Sequence, residues 1–164
     1  MKKRILTAVL AAALVTGTCA ATVSAKEEKT YTIGICQLVQ HDALDAATKG
    51  FEDAITEKMG DSVKFDEQNA QGDSNTCSTI INSFVSEGAD LILANATASL
   101  QAAAAGTSDI PILGTAVTEY GVALGIDDFD GTVGGNISGT SDLAPLDEQA
   151  DMLHELFPDA KNVG

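Results

Sequence analysis

Three consecutive small residues, Thr97, Ala98 and Ser99, stand where an apolar run gives way to an alanine-rich helix. The first N–H groups of a helix have no partner inside the helix, and the helix dipole favours an anion beside them. Two hydroxyl groups next to those N–H groups suit a ligand carboxylate, so the pattern predicts an anion site. In the alternative interpretation, Thr97 or Ser99 simply caps its own helix, and the two roles are compatible.

A second polar set surrounds a predicted turn at residues 69–73. Asn69, Gln71 and Asp73 supply amide and carboxylate groups, which together donate and accept hydrogen bonds as the polar head of a small ligand requires. Turn formation and capping of the following helix are the alternative roles for the same side chains. Both sets favour recognition of a ligand over its chemical conversion.

No catalytic or metal-binding motif accompanies these residues. The sequence contains no GxSxG, GxxxxGK[ST], HExxH or GxGxxG pattern. The two histidines, His41 and His154, belong to no recognisable triad. Residues 126–131 resemble a calcium loop, but Ile126 and Ile137 occupy positions where such a loop needs acids. We therefore expect no enzyme activity, no cofactor and no metal site.

Composition narrows the classes of partner. The 164 residues are 45% hydrophobic, which suits one folded domain, and Lys plus Arg total 9 against 24 Asp plus Glu. The formal net charge of −15 argues against a nucleic-acid binder and against docking on an anionic membrane through a basic patch.

The first 25 residues are predicted to be a signal peptide. Three cations at residues 2–4 precede an apolar stretch at 5–15, which is too short to span a bilayer comfortably, and small residues at 23–25 suit cleavage after Ala25. Cleavage there leaves a net charge of −18, because residues 1–25 carry three cations and no acid. The alternative is a lipoprotein cut before Cys19. Either way, the chain is expected to be exported, to the periplasm or the extracytoplasmic cell surface.

Two cysteines, Cys36 and Cys77, follow the predicted cleavage site. They could pair in an oxidising compartment. The favoured interpretation is that they are two small buried hydrophobic residues without a disulfide.

Apolar periodicity predicts an alternation of strands and helices. The expected strands are residues 31–38, 62–69, 90–94, 110–116 and, beginning at the very end, 161–164. The expected helices start at Asp42 as cap and end at Gly60, then cover 76–88, 97–105 and 145–157, with Pro145 in the first turn. The Gly- and Asp-rich residues 121–139 are expected to be irregular.

Strand–helix units at this spacing imply an α/β, doubly wound parallel sheet. Ligands of such sheets bind beyond the carboxyl ends of the strands. Here those ends are the polar segments 37–42, 69–73, 95–99 and 115–119. Any one such loop is expected to be polar, but four gathered at one edge predict a pocket.

Five stretches in order resemble one family, the solute-binding proteins of ABC transporters of the tryptophan- and aromatic-amino-acid-binding type. They are residues 33–51, Asn-Ala-Gln-Gly-Asp at 69–73, residues 90–97, residues 109–118, and Gly-Asn-Ile-Ser-Gly-Thr-Ser-Asp at 135–142. The chain departs from the family's usual pattern at Glu119 and Tyr120, where Asp-Pro is common. Tyr120 is expected either to pack on a ligand ring or to cover the sheet edge.

The resemblance implies the first lobe of a two-lobe periplasmic-binding-protein (type I) fold. Residues 26–159 would be the N-terminal lobe, and 160–164 would begin the crossover strand into a second lobe that this sequence lacks. Combined with the strand ends, it gives the expected ligand-binding residues, which are Gln37, His41, Asn69, Gln71, Asp73, Thr97, Ala98, Ser99, Thr115, Ala116 and Asp142.

The implied function is an exported component of an ABC importer. It would bind a small molecule, an amino acid with aromatic types favoured, between two closing lobes and deliver it to a membrane permease, acting as a monomer. The alternative is an extracytoplasmic ligand-sensing receptor module with the same fold and no transport partner. One lobe alone is expected to bind ligand weakly or not at all.

Overall fold

The computed structural model describes residues 29–162. The strands are β1 (Tyr31–Gln37), β2 (Val63–Asn69), β3 (Leu91–Asn95), β4 (Ile112–Val117) and β5 (Ile137–Ser141). The helices are α1 (Asp42–Met59), α2 (Ser74–Glu87), α3 (Thr97–Gly106), α4 (Tyr120–Leu124) and α5 (Leu146–Leu156), with a 3₁₀ turn at Gly60–Ser62. The predicted signal peptide lies outside the described residues. Lys161 and Asn162 carry no regular secondary structure, and the rest of the predicted crossover strand is not described.

The five strands form one parallel sheet in the order β2-β1-β3-β4-β5. The order reverses between β1 and β3, where the chain moves from one side of β1 to the other, as a doubly wound sheet requires. The α/β doubly wound prediction is therefore confirmed.

Apolar side chains fill both faces of the sheet. On one face, Ile92 and Ile112 pack with Ile81, Phe84 and Leu100 in a cluster that α2 and α3 help to form. On the other face, Ile33, Ile35 and Leu93 pack against the α1 residues Phe51 and Ile55. Because successive residues of a strand point to opposite faces, the continuous apolar runs of β1 and β3 supply both clusters.

Glycines end the first two long helices as expected, at Gly60 and at Gly88, whose φ values are 54° and 75°. The start of α1 differs by one residue. His41, and not Asp42, is the N-cap, because His41 Nδ1 accepts a hydrogen bond from the Ala43 N–H over 3.2 Å. Asp42 instead lies in the first turn, where its negative charge interacts favourably with the helix dipole and stabilises the helix.

The prediction that residues 121–139 are irregular is wrong at both ends. The Glu119 carboxylate accepts hydrogen bonds from the N–H groups of Gly121 and Val122, which starts α4 at Tyr120. At the other end, β5 begins at Ile137 and pairs with β4. Its sequence, Ile-Ser-Gly-Thr-Ser, lacks an apolar run because β5 is an exposed strand with only Ile137 partly covered.

The last helix, α5, forms where the sequence predicts it, but it is packed differently from the others. None of its residues is buried, whereas α2 buries Cys77, Ile80, Ile81 and Phe84. The buried core of the described chain thus ends before α5 begins.

Candidate functional site

The carboxyl ends of four neighbouring strands carry a row of polar residues in exact register. Gln37 of β1 pairs with Asn69 of β2 on one side and with Asn95 of β3 on the other, and Asn95 pairs with Thr115 of β4. Residues paired in this way in a parallel sheet point to the same face. The predicted strand ends therefore do meet at one edge, and the register adds Asn95, which the sequence analysis treated only as a boundary.

The middle of this row is a buried hydrogen-bond network. Asn95 Nδ2 donates to the Thr48 hydroxyl over 2.9 Å and to the Leu44 carbonyl over 2.9 Å. The Thr48 hydroxyl donates to Gln37 Oε1 over 2.7 Å, and Gln37 Nε2 donates to Asp45 over 2.6 Å. The network ties the first turns of α1 to the ends of β1 and β3.

Gln37 therefore departs from the expected role as a direct ligand contact. Its side chain is 1% exposed, and its amide is already engaged with Val39, Asp45 and Thr48. The carbonyl oxygen of the Asn95 side chain, also buried, has no hydrogen-bond partner among the described residues. The Gln37 and Asn95 side chains therefore fix the ends of β1 and β3 to α1.

The start of α3 is open to a ligand. Its N-cap, Ala96, has φ 94° and ψ 161°, and no side chain of the described residues caps the helix. A hydrogen bond from the Ala96 N–H to the Thr115 carbonyl over 3.0 Å fixes this turn to β4. The N–H groups of Thr97 and Ala98 are thus displayed at the edge without a side-chain partner, as an anion site needs.

Ser99 also departs from the expectation, because its hydroxyl faces the interior. Its side chain is fully buried and lies 3.6 Å from the Cys36 sulfur and 3.7 Å from the Cys77 sulfur. Both cysteines are buried free thiols, as predicted. Because the whole residue is 0% exposed, backbone included, Ser99 offers a ligand neither group in this conformation, and Thr97 is the hydroxyl of this segment that can face the edge.

The polar residues of the turn after β2 stabilise that turn and cap the following helix, which is the alternative role that the sequence analysis gave them. Asn69 Oδ1 accepts hydrogen bonds from the Gln71 backbone N–H and side-chain amide, at 2.9 and 3.1 Å. Asp73 caps α2 by accepting from Asn75 and Thr76. All three side chains remain at the rim, where Gln71 and Asp73 are exposed, so these bonds position them and leave further lone pairs free.

At the β4 end of the row, a β-bulge in β4 interrupts its pairing with β5. Ala116 has φ 52°, and the register shifts between Gly114 and Val117. Thr140 donates to the Thr115 hydroxyl over 3.4 Å, and the exposed Asp142 follows, tied by its N–H to the Val117 carbonyl. Thr115, Ala116 and Asp142 therefore lie at the same edge as the start of α3.

Tyr120 packs over β4 and β5, where it also forms part of the wall of a cavity. It is 6% exposed and lies against Gly114 and Gly139, at which a Cβ atom would collide with the Tyr120 hydroxyl. That hydroxyl donates to the Thr140 carbonyl over 3.1 Å. Burial, with a further contribution from Asp142, raises the pKa of Tyr120 above its ordinary value.

Strained backbone marks the same edge. Four non-glycine residues of the described chain have positive φ, and three of them, Gln71, Ala96 and Ala116, follow or end β2, β3 and β4. Such conformations cost of the order of 1–3 kcal/mol each and cluster at functional sites. His41, the N-cap of α1, stands exposed at the same level after β1.

The charge of this region restricts the ligand. Residues 65–160 contain no Lys or Arg. A carboxylate bound here must therefore be held by N–H and hydroxyl groups, while Asp73 and Asp142 at the rim favour a ligand cation.

Two cavities lie beside this edge and not on it. One, of about 490 Å³, runs along β5 between Phe129, Val133 and Leu143. Another, of about 280 Å³, lies over Leu93 and Leu113 beneath Phe51 and reaches Thr115 and Thr140. Of the predicted site residues, Thr115 alone lines either cavity. The strand ends form an open surface, which suits one wall of a cleft.

Residues 29–162 contain neither a candidate metal cluster nor a candidate membrane-spanning helix. No group of three or more His, Cys, Asp or Glu side chains is placed to hold a metal ion in this part of the chain. None of its helices has the length and apolar character needed to cross a bilayer.

The family model of ABC transporter substrate-binding proteins matches residues 32–164. The chain belongs to this family. A relative named tyrosine-binding protein, from Clostridioides difficile, is 46% identical to this substrate-binding protein over 140 residues, which are 84% of this chain and 40% of the relative. The resemblance read from the five sequence stretches is thereby confirmed.

Two solved structures support the same placement. A ligand-free, open substrate-binding protein with adhesive properties from Clostridium difficile has a TM-score of 0.71 and 43% identity, over 80% of this chain and 45% of that one. A domain from Streptococcus pneumoniae in complex with L-Trp has a TM-score of 0.72 and 33% identity, over 80% and 45%. This substrate-binding protein spans less than half the length of these relatives and has the first-lobe architecture of a type I periplasmic binding protein.

Proposed function

We propose that this chain is the ligand-binding first lobe of an exported ABC importer component that takes up an amino acid, with aromatic types favoured. The open N-terminus of α3 at a polar strand edge carries the proposal. Family membership supplies the transport role, and the relatives named for tyrosine binding and solved with L-Trp favour an aromatic ligand.

In the proposed complex, the ligand carboxylate accepts hydrogen bonds from the N–H groups of Thr97 and Ala98 and from the Thr97 hydroxyl. Residues 65–160, which form most of this wall, contain no Lys or Arg, so these neutral donors carry the carboxylate. The ammonium group lies toward the acidic rim, and Asn69, Gln71 and His41 supply further polar contacts. Thr115, Ala116 and Asp142 border the site on the β4–β5 side.

The second wall of the site would come from a second lobe. The strand edge is an open surface, and a ligand held by one such wall stays exposed to water, which weakens its hydrogen bonds. Closure of a second lobe excludes that water, and the loaded, closed form is then the state that a membrane permease recognises. By itself, this lobe is expected to bind its ligand weakly, at millimolar concentrations.

The test is an NMR titration of the isotope-labelled chain with L-tryptophan, L-tyrosine and L-alanine, with tryptophan amide and indole as controls that lack the carboxylate. We expect shifts at the amides of residues 97–99 with the amino acids, stronger for the aromatic ones, and none there with the controls. Equal shifts with indole, or shifts confined to the cavity along β5, would contradict the carboxylate site.

A matched pair of variants sharpens the test. Thr97→Val removes the proposed ligand hydroxyl and keeps the shape of the side chain. Thr79→Val makes the same change on the exposed face of α2, where the hydroxyl contacts only the Asn75 carbonyl. We expect Thr97→Val alone to weaken binding about 5- to 10-fold, which corresponds to one hydrogen bond of ordinary strength.

A further inference from the structure

Cys36 and Cys77 meet in the core although they belong to different elements. Cys36 lies in β1 and Cys77 in α2, and both are fully buried. They are the only two cysteines after the predicted signal peptide. Burial of a cysteine as a small apolar residue does not require a second cysteine beside it.

The two side chains meet at one hydroxyl. The Cys36 thiol donates to Ser99 Oγ over 3.6 Å, and the Cys77 sulfur lies 3.7 Å from the same oxygen. Burial is the main cause that raises the pKa of Cys36 to about 12. The Cys36 thiol is therefore not an ionised nucleophile in the folded chain.

We propose that Cys36 and Cys77 form a thiol–disulfide modification site. The oxidant is a disulfide, either a small one such as oxidised glutathione or that of a thiol–disulfide oxidoreductase. One cysteine thiolate attacks the oxidant's disulfide, which gives a mixed disulfide and releases one thiol. The second cysteine then attacks the protein-side sulfur and releases the other thiol. Two electrons and two protons pass to the oxidant, which leaves as two thiols.

Burial determines when this exchange occurs. A thiol kept protonated and out of contact with solvent exchanges slowly, so the bond forms while the chain folds or opens and not in the closed native state. Once formed, the bond links β1 to α2 around α1 and β2. It also withdraws both thiols from Ser99 in the first turn of α3. The export proposed above places the chain where disulfides persist.

The test uses the full chain with Cys19→Ala, so that only the pair carries thiols. The reduced, unfolded protein is refolded over a range of glutathione ratios, quenched with iodoacetamide, and examined by intact mass and peptide mapping. We expect native-like protein lighter by two hydrogen atoms, unalkylated, with one cross-linked peptide joining Cys36 to Cys77, and with a raised melting temperature. Protein folded in the reduced state and then oxidised is expected to react many times more slowly.

The control is Cys77→Ser in the same background, which must give no internal cross-link. Three outcomes would overturn the proposal. In the first, both cysteines remain alkylatable at every ratio. In the second, they carry only glutathione adducts. In the third, the cross-link appears only in protein that lacks the far-ultraviolet circular dichroism of the folded chain.

Discussion

Helices α2 and α5 have equally clear apolar stripes but opposite surroundings. In α2, Ile80, Ile81 and Phe84 are buried against the sheet. In α5, apolar residues recur at positions 146, 150 and 153 and continue at the C-cap Phe157, and acids occupy the other side. No residue of α5 is buried, and Phe157 is 60% exposed. The periodicity of a sequence predicts that a helix forms and which side is apolar. It does not show what covers that side.

This contrast divides the described chain into a packed unit, residues 29–142, and the α5 segment, residues 143–162. If the division is correct, substitutions in the packed unit change the free energy of unfolding strongly, and equivalent ones in the α5 segment hardly change it. The predictions below run from the largest expected effect to the smallest.

The largest effect is expected for Phe84→Ala. Phe84 is 1% exposed, and its ring lies so close to β1 that a Cβ atom on Gly34 would be 2.6 Å from it. Loss of the ring removes buried apolar area and leaves a cavity, which costs about 3–5 kcal/mol. Urea unfolding followed by circular dichroism measures it. A loss below about 1 kcal/mol would show that this core is not packed as described.

The next effect concerns the polar row under the candidate site. Asn95→Leu keeps the number and branching of the side-chain heavy atoms but removes the donors to Leu44 and Thr48, and it leaves the buried Thr48 hydroxyl without that donor. We expect a loss of about 1–3 kcal/mol in urea unfolding. Asn82→Leu, on the exposed side of α2, is the matched control and should stay within about 0.5 kcal/mol of the wild type. If Asn95→Leu and Asn82→Leu change the free energy of unfolding equally, the hydrogen bonds of Asn95 do not stabilise the chain as described.

A smaller effect is expected for Tyr120→Phe, which removes one hydroxyl and its hydrogen bond to Thr140. The cost is about 1 kcal/mol at neutral pH. Tyr31→Phe, at an exposed tyrosine of β1, is the control.

Tyr120→Phe is also expected to change how stability depends on pH in alkaline solution. Because burial raises the pKa of Tyr120 in the folded chain, its contribution is fully present below the ordinary tyrosine pKa of about 10 and is lost as pH rises through the folded value. Tyr120→Phe should therefore flatten the alkaline fall in stability, and Tyr31→Phe should not. If stability falls at high pH in Tyr120→Phe just as it does in the wild type, groups other than Tyr120 cause the fall.

Most of the packed unit was predictable because its signals are local. Continuous apolar runs mark β1 and β3, and glycines with positive φ end α1 and α2. Two elements, α4 and β5, escaped prediction, and β5 has no such signal. Ile137 is its one large apolar residue, and it is a strand because β4 offers it an open edge through the bulge at Ala116.

The candidate site, like the fold, was predictable only in part. The meeting of the four strand ends followed from the order of strands and helices, but the direction of each side chain did not. Gln37 points beneath α1 because register pairs it with Asn95 there, and Ser99 turns toward Cys36 because α3 packs on the opposite face. Both directions depend on residues distant in sequence. The row itself had a readable signal, since each of Gln37, Asn69 and Asn95 is an amide at the last position of its strand.

The smallest effect is expected in α5, where Phe157→Ala should change the free energy of unfolding by less than about 0.5 kcal/mol. A helix of 11 residues with no buried side chain is marginal in water, because its nucleation is unfavourable and packing supplies most helical stability in proteins. Amide hydrogen exchange should therefore show α5 nearly unprotected, while α2 amides exchange only through global unfolding. Phe84→Ala and Phe157→Ala make the same change, so the ratio of their effects measures the contrast directly. A loss of 2 kcal/mol or more at Phe157, or protection of α5 equal to that of α2, would mean that the apolar stripe is covered in solution. In that case the packed unit would extend through residue 157.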